Sequence, residues 1–233
     1  MIILGIETAT EQVGCALGGV EGLLSSFHAA HGRRHAEVLV PAIDFVCRSV
    51  DIELREVSVI AVDVGPGLFT GLRVGIATAK SMAQALRVPM IGLSSLDLLA
   101  HQVRYCKKLI VPVIDAKRNE VFSAMYRHVP GGVQRIRDYR VGSVRELADE
   151  LASRAEDALL VGDGAIRYSA ELGGDHGMVE MGGLGVAYPS AVDLVELAHP
   201  RALREEFVQP RELEPLYLRK ADAELRWEGK ASA

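Results

Sequence analysis

The sequence predicts an α/β fold in which two lobes each contain a mixed β-sheet covered by helices. The order strand–strand–strand–helix–strand–helix occurs twice along the 233 residues, which is enough chain to bury a sizeable core. Hydrophobic residues make up 49% of the sequence and charged residues 24%, as in ordinary globular proteins. The two halves share their order of elements without obvious residue identity, so two related α/β lobes are expected.

The first half begins with three short apolar runs separated by glycine-containing turns, a pattern typical of strands. A helix and a strand follow, and a glycine-rich loop then leads into a second helix. One more strand and one more helix complete this half. The predicted strands are 2–6, 14–18, 23–30, 59–64 and 89–93, and the predicted helices are 36–50, 72–86 and 95–105.

The second half repeats this order. Ser143 with Glu146 three residues later forms a capping box, which marks the start of a helix. The predicted strands are 109–115, 120–126, 133–140 and 158–164, and the predicted helices are 143–154, 165–172 and 190–198. We predict an N-terminal lobe over 1–104, a C-terminal lobe over 105–213 and a charged, largely solvated C-terminal tail over 214–233.

The net charge and the cysteine content argue against several classes of protein. The net charge of −5 argues against a chain that grips tRNA or DNA by itself, since such proteins carry a basic surface. No apolar run has the length of a membrane span, and the N-terminus lacks the basic start of a signal peptide. Cys15, Cys47 and Cys106 are odd in number and widely spaced, which favours reduced thiols in a cytoplasmic protein.

The glycine-rich loop after the strand at 59–64 is the most informative stretch. Gly65 and Gly67 follow a buried strand and precede a helix, whose N-terminus favours a bound anion. The loop contains neither a Walker A sequence nor the GxGxxG pattern of dinucleotide-binding proteins. Two interpretations stay open: a tight strand-to-helix turn, or a phosphate loop that includes Gly65, Gly67 and Thr70.

Two helices have unusually narrow polar strips. A helix on a sheet normally shows one apolar stripe and a broad polar face. The helix at 72–86 is almost entirely apolar or small apart from one polar strip, and the helix at 36–50 has two apolar faces. We predict that both helices pack on their own core and on a partner, although both could instead be central helices of the monomer. The candidate contact residues are His35, Val38, Pro41, Phe45, Arg73, Gly75, Ile76, Ala79 and Ala83.

Four segments in order resemble the TsaB (YeaZ) family of tRNA threonylcarbamoyladenosine biosynthesis proteins. They are ILGIETATEQVGCAL, GPGLFTGLRVGIATAKSMAQAL, VPVIDAKRNEVFSAMY and EPLYLRKADAE. The resemblance implies a duplicated, RNase H-like actin-like ATPase fold and a non-catalytic role as partner of TsaD, which transfers the threonylcarbamoyl group to tRNA. It further implies that TsaE joins the complex, that tRNA is reached only through the complex, and that the first helices mediate both TsaD contact and a homodimer.

The same resemblance bears on metals and cofactors. The catalytic relative binds its metal through an HxxxH motif after the glycine-loop helix, and Ser95 and Leu99 stand at those positions here. Glu7 and Thr8 occupy the first phosphate-loop position of the actin-like fold, but the glycine-rich fingers of true ATPases are missing. We therefore expect no metal centre, no acyl-transfer centre and no cofactor, with Glu7 and Thr8 as weak candidates for a nucleotide site.

Two other functions are weighed as alternatives. A metallopeptidase-like hydrolase would need a motif such as HExxH or GxSxG, and the sequence contains neither. A small-molecule kinase of the actin-like fold would need acidic magnesium ligands, for which Asp115 and the GDGA stretch at 162–165 are the only candidates. Roles in buried turns explain both of these features more simply.

The stretch HAAHGRRH, residues 28–35, has the spacing of a zinc-binding pair at His31 and His35. Gly32 lies between these two histidines and interrupts any helix that would align them. The neighbouring arginines Arg33 and Arg34 disfavour a bound cation. We therefore predict a strand-to-helix turn at the rim of the partner interface instead of a metal site.

Overall fold

The computed structural model describes residues 1–30, 34–173 and 177–219. The strands are β1 Ile2–Glu7, β2 Gln12–Gly19, β3 Gly22–Ala30, β4 Val59–Gly65, β5 Met90–Ser94, β6 Leu109–Asp115, β7 Glu120–Val129, β8 Gly132–Ser143, β9 Ala158–Val161 and β10 Val179–Met181. The helices are α1 His35–Arg48, α2 Phe69–Leu86, α3 Ser95–Gln102, α4 Val144–Arg154, α5 Asp163–Arg167, α6 Ser169–Gly173 and α7 Ala191–Leu203.

The strands form two five-stranded mixed sheets with the same topology. The first sheet has the order β3-β2-β1-β4-β5, and the second has the order β10-β9-β6-β7-β8. In the first sheet β1 is antiparallel to β2 and parallel to β4; in the second sheet β6 is antiparallel to β7 and parallel to β9. Since β6 holds the place of β1 and β9 that of β4, the predicted pair of related mixed sheets is confirmed.

The central strands read as continuous apolar runs because helices cover both faces of each sheet. Helices α1 and α2 pack on one face of the first sheet, where Leu39 and Leu72 contact its buried side chains. Helices α4, α5 and α6 cover one face of the second sheet. The capping box predicted for α4 is present, with Ser143 accepting a hydrogen bond from the backbone of Glu146 at 3.1 Å.

The last helix of each half packs across the middle of the molecule. On α7, Leu194 and Ala198 pack against Ile3 of the first sheet, although the sequence prediction placed 105–213 in the second lobe. Conversely, Leu96 and Leu99 of α3 pack with Ile110 of the second sheet. A division at residue 104 therefore separates the two sheets but not the two cores. Amphipathic patterning cannot reveal this, because it identifies an apolar face but not the sheet that the face meets.

The chain after α7 is more ordered than the predicted solvated tail. Leu213 is buried in the first core, the Leu216 N–H donates to the Val64 carbonyl at 2.7 Å, and Arg219 pairs with Glu120 at 2.7 Å. The prediction of a solvated tail is therefore wrong for 214–219, because these residues bridge the two halves. Residues 220–233 of that tail lie outside the described residues. Among the helices described, none has both the length and the apolar character to cross a membrane.

Candidate functional site

The turn between β1 and β2 packs against three glycines, one in the loop before α2 and two within α2. A Cβ atom at Gly67 would lie 2.1 Å from the carbonyl oxygen of Ala9, and one at Gly71 would lie 2.1 Å from that of Thr8. At Gly75 it would lie 2.2 Å from the Thr8 hydroxyl oxygen, which donates to the Gly71 carbonyl at 2.8 Å. The glycines therefore let the β1–β2 turn approach the helix backbone, and the predicted role of Gly75 in partner contact is wrong.

The same turn uses the backbone groups that a phosphate would need. The N–H of Leu68 donates to the Ala9 carbonyl at 2.6 Å, and the N–H of Gly65 donates to the Asp63 carboxylate at 2.7 Å. Gly65 has φ of +103°, so the loop does require glycine there. Of the two interpretations of this loop, the geometry supports the tight turn, since the amides of Gly65 and Leu68 are already paired; Thr70 is exposed at the start of α2.

Two buried carboxyl groups lie at the end of this loop. Ile6 pairs with Val62 in parallel register, so Glu7 and Asp63 come next on adjacent strands, and they are 0% and 1% exposed. Glu7 accepts from the Ala9 N–H at 2.7 Å, and Asp63 accepts from Ser95 Oγ at 2.7 Å. Within the described part of the chain, the second oxygen of each carboxyl group has no partner.

Burial changes the acidity of this pair. It raises the pKa of Asp63 to about 7, and it raises the pKa of Glu7 well above its ordinary value, with the charge of Asp63 adding to the effect. An ionised carboxylate repels phosphate, and a protonated carboxyl group has no positive charge with which to attract it. The charge of the site therefore also disfavours a phosphate beside Glu7 and Thr8.

The two positions where the resemblance implied lost metal-binding histidines have structural roles. Ser95 is fully buried and holds the Asp63 carboxylate, and Leu99 lies in the core of the second sheet with Ile110 and Ile114. His101, two residues beyond Leu99, pairs through Nδ1 with Asp193 at 2.7 Å. The pair of imidazoles required by an HxxxH centre is thus replaced by a hydroxyl and an apolar side chain.

The acidic candidates of the kinase alternative are bound by their own chain. Lys117 donates to the Asp115 carboxylate through its backbone N–H at 2.8 Å and through Nζ at 3.0 Å, and Tyr168 donates at 3.1 Å. Burial opposes ionisation, but the contacts with Lys117 outweigh it and lower the pKa of Asp115. Burial raises the pKa of Asp163 to about 6, and this side chain accepts from the Asp115 N–H.

The exposed apolar surface of the first lobe lies between α1 and α2. Val40 is 60% exposed and Phe45 is 56% exposed, although both are large apolar residues on α1. A groove of about 870 Å³ runs beside them, which we call the α1–α2 groove. It is lined by Val40, Pro41, Ile43, Asp44, Arg48, Leu54, Ala77, Thr78, Ser81 and Met82.

The structure divides the predicted contact residues into two groups. Pro41, Phe45 and Arg73 are exposed, and Val38 is partly buried against the core. The other five are buried inside the chain and correct the prediction; they are His35, Gly75, Ile76, Ala79 and Ala83. The small residues Gly75, Ala79 and Ala83 of α2 face the core of the chain. The opposite face of α2 presents Ala77, Thr78 and Ser81 to the groove. A helical wheel of α2 that places its bulky and small apolar residues on one inner face would have identified the buried positions.

Two histidines of the stretch 28–35, His28 and His35, have structural roles. His35 is only 4% exposed, and its Nε2 lies 2.7 Å from the carbonyl oxygen of Thr10, so it is not at the rim of an interface. His28 Nε2 accepts from the Ala191 N–H at 3.1 Å and so satisfies the start of α7. The predicted turn at His31, Gly32 and Arg33 lies outside the described residues.

An aromatic and cationic cluster extends the surface of α2. The ring centroids of Phe69 and Tyr217 are 5.3 Å apart, and the guanidinium of Arg73 lies 3.8 Å from the Phe69 centroid. Arg73 also donates to the Tyr217 hydroxyl at 3.3 Å. The conspicuous late segment EPLYLRKADAE therefore contributes Tyr217 to the surface beside α2, which its sequence did not indicate.

Comparison with known proteins identifies relatives over nearly the whole chain. A family model described as TsaD, tRNA N6-adenosine threonylcarbamoyltransferase, matches residues 25–169. The chain is 27% identical to the tRNA threonylcarbamoyladenosine biosynthesis protein TsaB of Bacillus subtilis, covering 97% of this chain and 98% of that protein. It is 28% identical to TsaB of Escherichia coli, covering 99% and 100% of the two chains.

Solved structures agree with this relationship. YeaZ from Pseudomonas aeruginosa superposes with a TM-score of 0.82 at 27% identity, covering 93% of this chain and 99% of that chain. Ethanolamine utilization protein EutJ from Carboxydothermus hydrogenoformans has a TM-score of 0.50 at 10% identity, covering 84% and 89%, and so shares the fold alone. The duplicated actin-like fold is thereby confirmed, and the chain belongs to the TsaB (YeaZ) family, within the wider group that the TsaD family model describes.

Proposed function

We propose that this chain is a subunit of the machinery that forms threonylcarbamoyladenosine in tRNA and that it acts as a partner of a TsaD-type transferase. The similarity to proteins named for this biosynthesis, over 97–100% of each length for two of them, carries the proposal. The match to the TsaD family model supports a pairing between related actin-like lobes. This role places the chain in the cytoplasm, where tRNA is modified.

The subunit itself is non-catalytic in this proposal. Ser95 and Leu99 replace the metal-binding pair of the catalytic relative, and the loop amides at Gly65 and Leu68 are used within the chain. The acidic groups on the second sheet are held by Lys117 and Tyr168. These contacts support a scaffold that needs no cofactor of its own.

The α1–α2 groove is the proposed contact for TsaD and, in the isolated chain, for a second copy. Its exposed apolar residues on two adjacent helices suit a helix-to-helix interface, and the exposed Phe45 on α1 and Arg73 on α2 belong to the proposed contact. A TsaE homologue would join the assembled pair. The net charge of −5 supports tRNA binding through the complex instead of by this subunit alone.

Co-expression with a tagged TsaD homologue from the same organism tests the interface. Ala77→Arg and Val40→Lys should each weaken co-purification about tenfold or more, because each places a charge in an apolar contact. Ala152→Arg, an equally exposed change on α4, is the matched control and should leave the complex intact. Retention of the complex by both groove variants would overturn the interface.

The cellular role has a separate readout. Depletion of the chain should remove threonylcarbamoyladenosine from bulk tRNA, as measured by mass spectrometry of nucleosides. The groove variants should produce the same loss, and Ala152→Arg should not. Unchanged nucleoside content after depletion would overturn the proposed function.

A further inference from the structure

A second cluster of metal-ligating side chains lies away from the carboxyl ends of the central strands. His101 on α3 faces Asp193 and Glu196, which are three residues apart on α7. One ligand atom from each of the three lies within 4.8 Å of the others. His101 and Asp193 are each 8% exposed, whereas the Glu196 side chain is 46% exposed, so the cluster is open to solvent on its Glu196 side.

The cluster borders a cavity that contains an unsatisfied imidazole. The cavity measures about 280 Å³ and is lined by His101, Glu196 and His199, with Gly19, Leu23 and Val195 forming an apolar wall. Within the described residues, His199 Nε2 is buried and has no hydrogen-bond partner. The unpartnered imidazole nitrogen of His199 is therefore a polar group in the same cavity that contacts within the described residues leave unsatisfied.

In the metal-free chain a guanidinium group supplies the positive charge. Arg104 lies 3.2 Å from the Glu196 carboxylate, 3.9 Å from Asp193 and 3.5 Å from His101 Nδ1. It compensates the carboxylates and can also donate to the lone pair of His101 Nδ1, so a metal ion would have to displace it. Arg104 is partly exposed and also donates to the His101 carbonyl, so its side chain can leave the cluster toward solvent.

We propose that His101, Asp193 and Glu196 bind one Zn²⁺ ion in place of Arg104, with water from the adjoining cavity as the fourth ligand. Imidazole nitrogen and carboxylate oxygen are ligands that zinc takes at about 2.0–2.2 Å in tetrahedral geometry. Binding displaces the proton shared between His101 Nδ1 and Asp193, which are 2.7 Å apart. The ion would join α3 to α7, the two helices that cross between the cores.

Calorimetric titration of the chelator-treated full chain with zinc chloride at neutral pH tests the site. We expect one Zn²⁺ per chain in the wild type and an increase in the melting temperature, since the ion binds the folded state. Cobalt substitution should give the visible absorption of a tetrahedral site. His101→Asn and the half-exposed Glu196→Gln should each lower the affinity at least tenfold.

Two further variants make the outcome unambiguous. Arg104→Gln should bind zinc more tightly than the wild type, because the competing cation is gone; a merely structural cluster would show no such gain. His31→Asn, in the histidine-rich stretch 28–35, is the control for adventitious binding and should not change the affinity. Absence of stoichiometric zinc in both wild type and Arg104→Gln, or loss of zinc in His31→Asn instead of Glu196→Gln, would overturn the site.

Discussion

The two sheets place acidic residues at equivalent positions but neutralise them in different ways. Glu7 ends β1 as Asp115 ends β6, and Asp63 on β4 corresponds to Asp163 just after β9. In the first lobe no ion pair with these carboxyl groups occurs among the described residues, and burial raises their pKa values. In the second lobe Lys117 reaches the Asp115 carboxylate and lowers its pKa.

The two lobes therefore accommodate acidic side chains at their strand ends by different means. In the first lobe burial raises the pKa of both acids, whereas in the second lobe Lys117 pairs with Asp115 and only Asp163 has a pKa raised by burial. Both solutions leave the strand ends filled by the chain itself. In the first lobe the end of β1 is also closed sterically, since Ala9 packs against Gly67 and Thr8 packs against Gly71 and Gly75.

The steric closure of the first lobe predicts the largest effect. Gly75→Leu should destabilise the chain by about 3 kcal/mol or prevent folding, because the added side chain meets the Thr8 hydroxyl within the core. Ala77 lies two residues later on the exposed face of α2, opposite the buried Gly75. Ala77→Leu should therefore change the free energy of unfolding by less than about 0.5 kcal/mol. Urea denaturation measures both, and equal stability of the two variants would contradict the internal role of the glycine.

The protonated carboxyl pair predicts an effect of intermediate size. A carboxyl whose pKa rises on folding adds most stability below its unfolded pKa of about 4 and loses that contribution as pH rises toward about 7. Asp63→Asn keeps the acceptor for Gly65 and Ser95 but cannot ionise. At pH 8 it should therefore be more stable than the wild type by about 2 kcal/mol, with the gain shrinking toward pH 4.

Thermal unfolding followed by circular dichroism across pH 4–8 measures this difference. Asp44→Asn, on an exposed position of α1, is the control and should leave the pH profile unchanged. If Asp63→Asn followed the wild-type profile throughout this range, the carboxyl would be ionised in the folded state and the contrast between the lobes would fail.

The sequence predicted the elements and the strand pairing of the two lobes better than the buried contacts within them. The paired strands and the α4 capping box followed from residue patterns alone. The buried position of His35 and the turn over Gly75 did not, because both depend on contacts between residues far apart in the chain. Small residues at helical spacing indicate that something approaches closely, without indicating whether it is a partner or the same chain.

The pairing of Lys117 with Asp115 in the second lobe predicts the smallest effect on stability, with a pH dependence opposite to that of Asp63. Stability from the lowered pKa of Asp115 is present above pH 4 and is lost as pH falls below it. Lys117→Met should therefore destabilise the chain by about 1 kcal/mol at pH 7, a modest value because Lys117 is nearly half exposed and water screens the pair. At pH 3 the variant and the wild type should converge.

Arg167→Gln provides the internal control for that measurement. Arg167 approaches the same carboxylate at 3.5 Å but is 61% exposed and makes no second contact through its backbone, in contrast to Lys117. Its loss should cost less than about 0.5 kcal/mol, since exposed ion pairs contribute little. If Arg167→Gln were as damaging as Lys117→Met, long-range charge and not the Lys117 contact would hold Asp115, and the second lobe would depend on its general electrostatic field instead of one local pair.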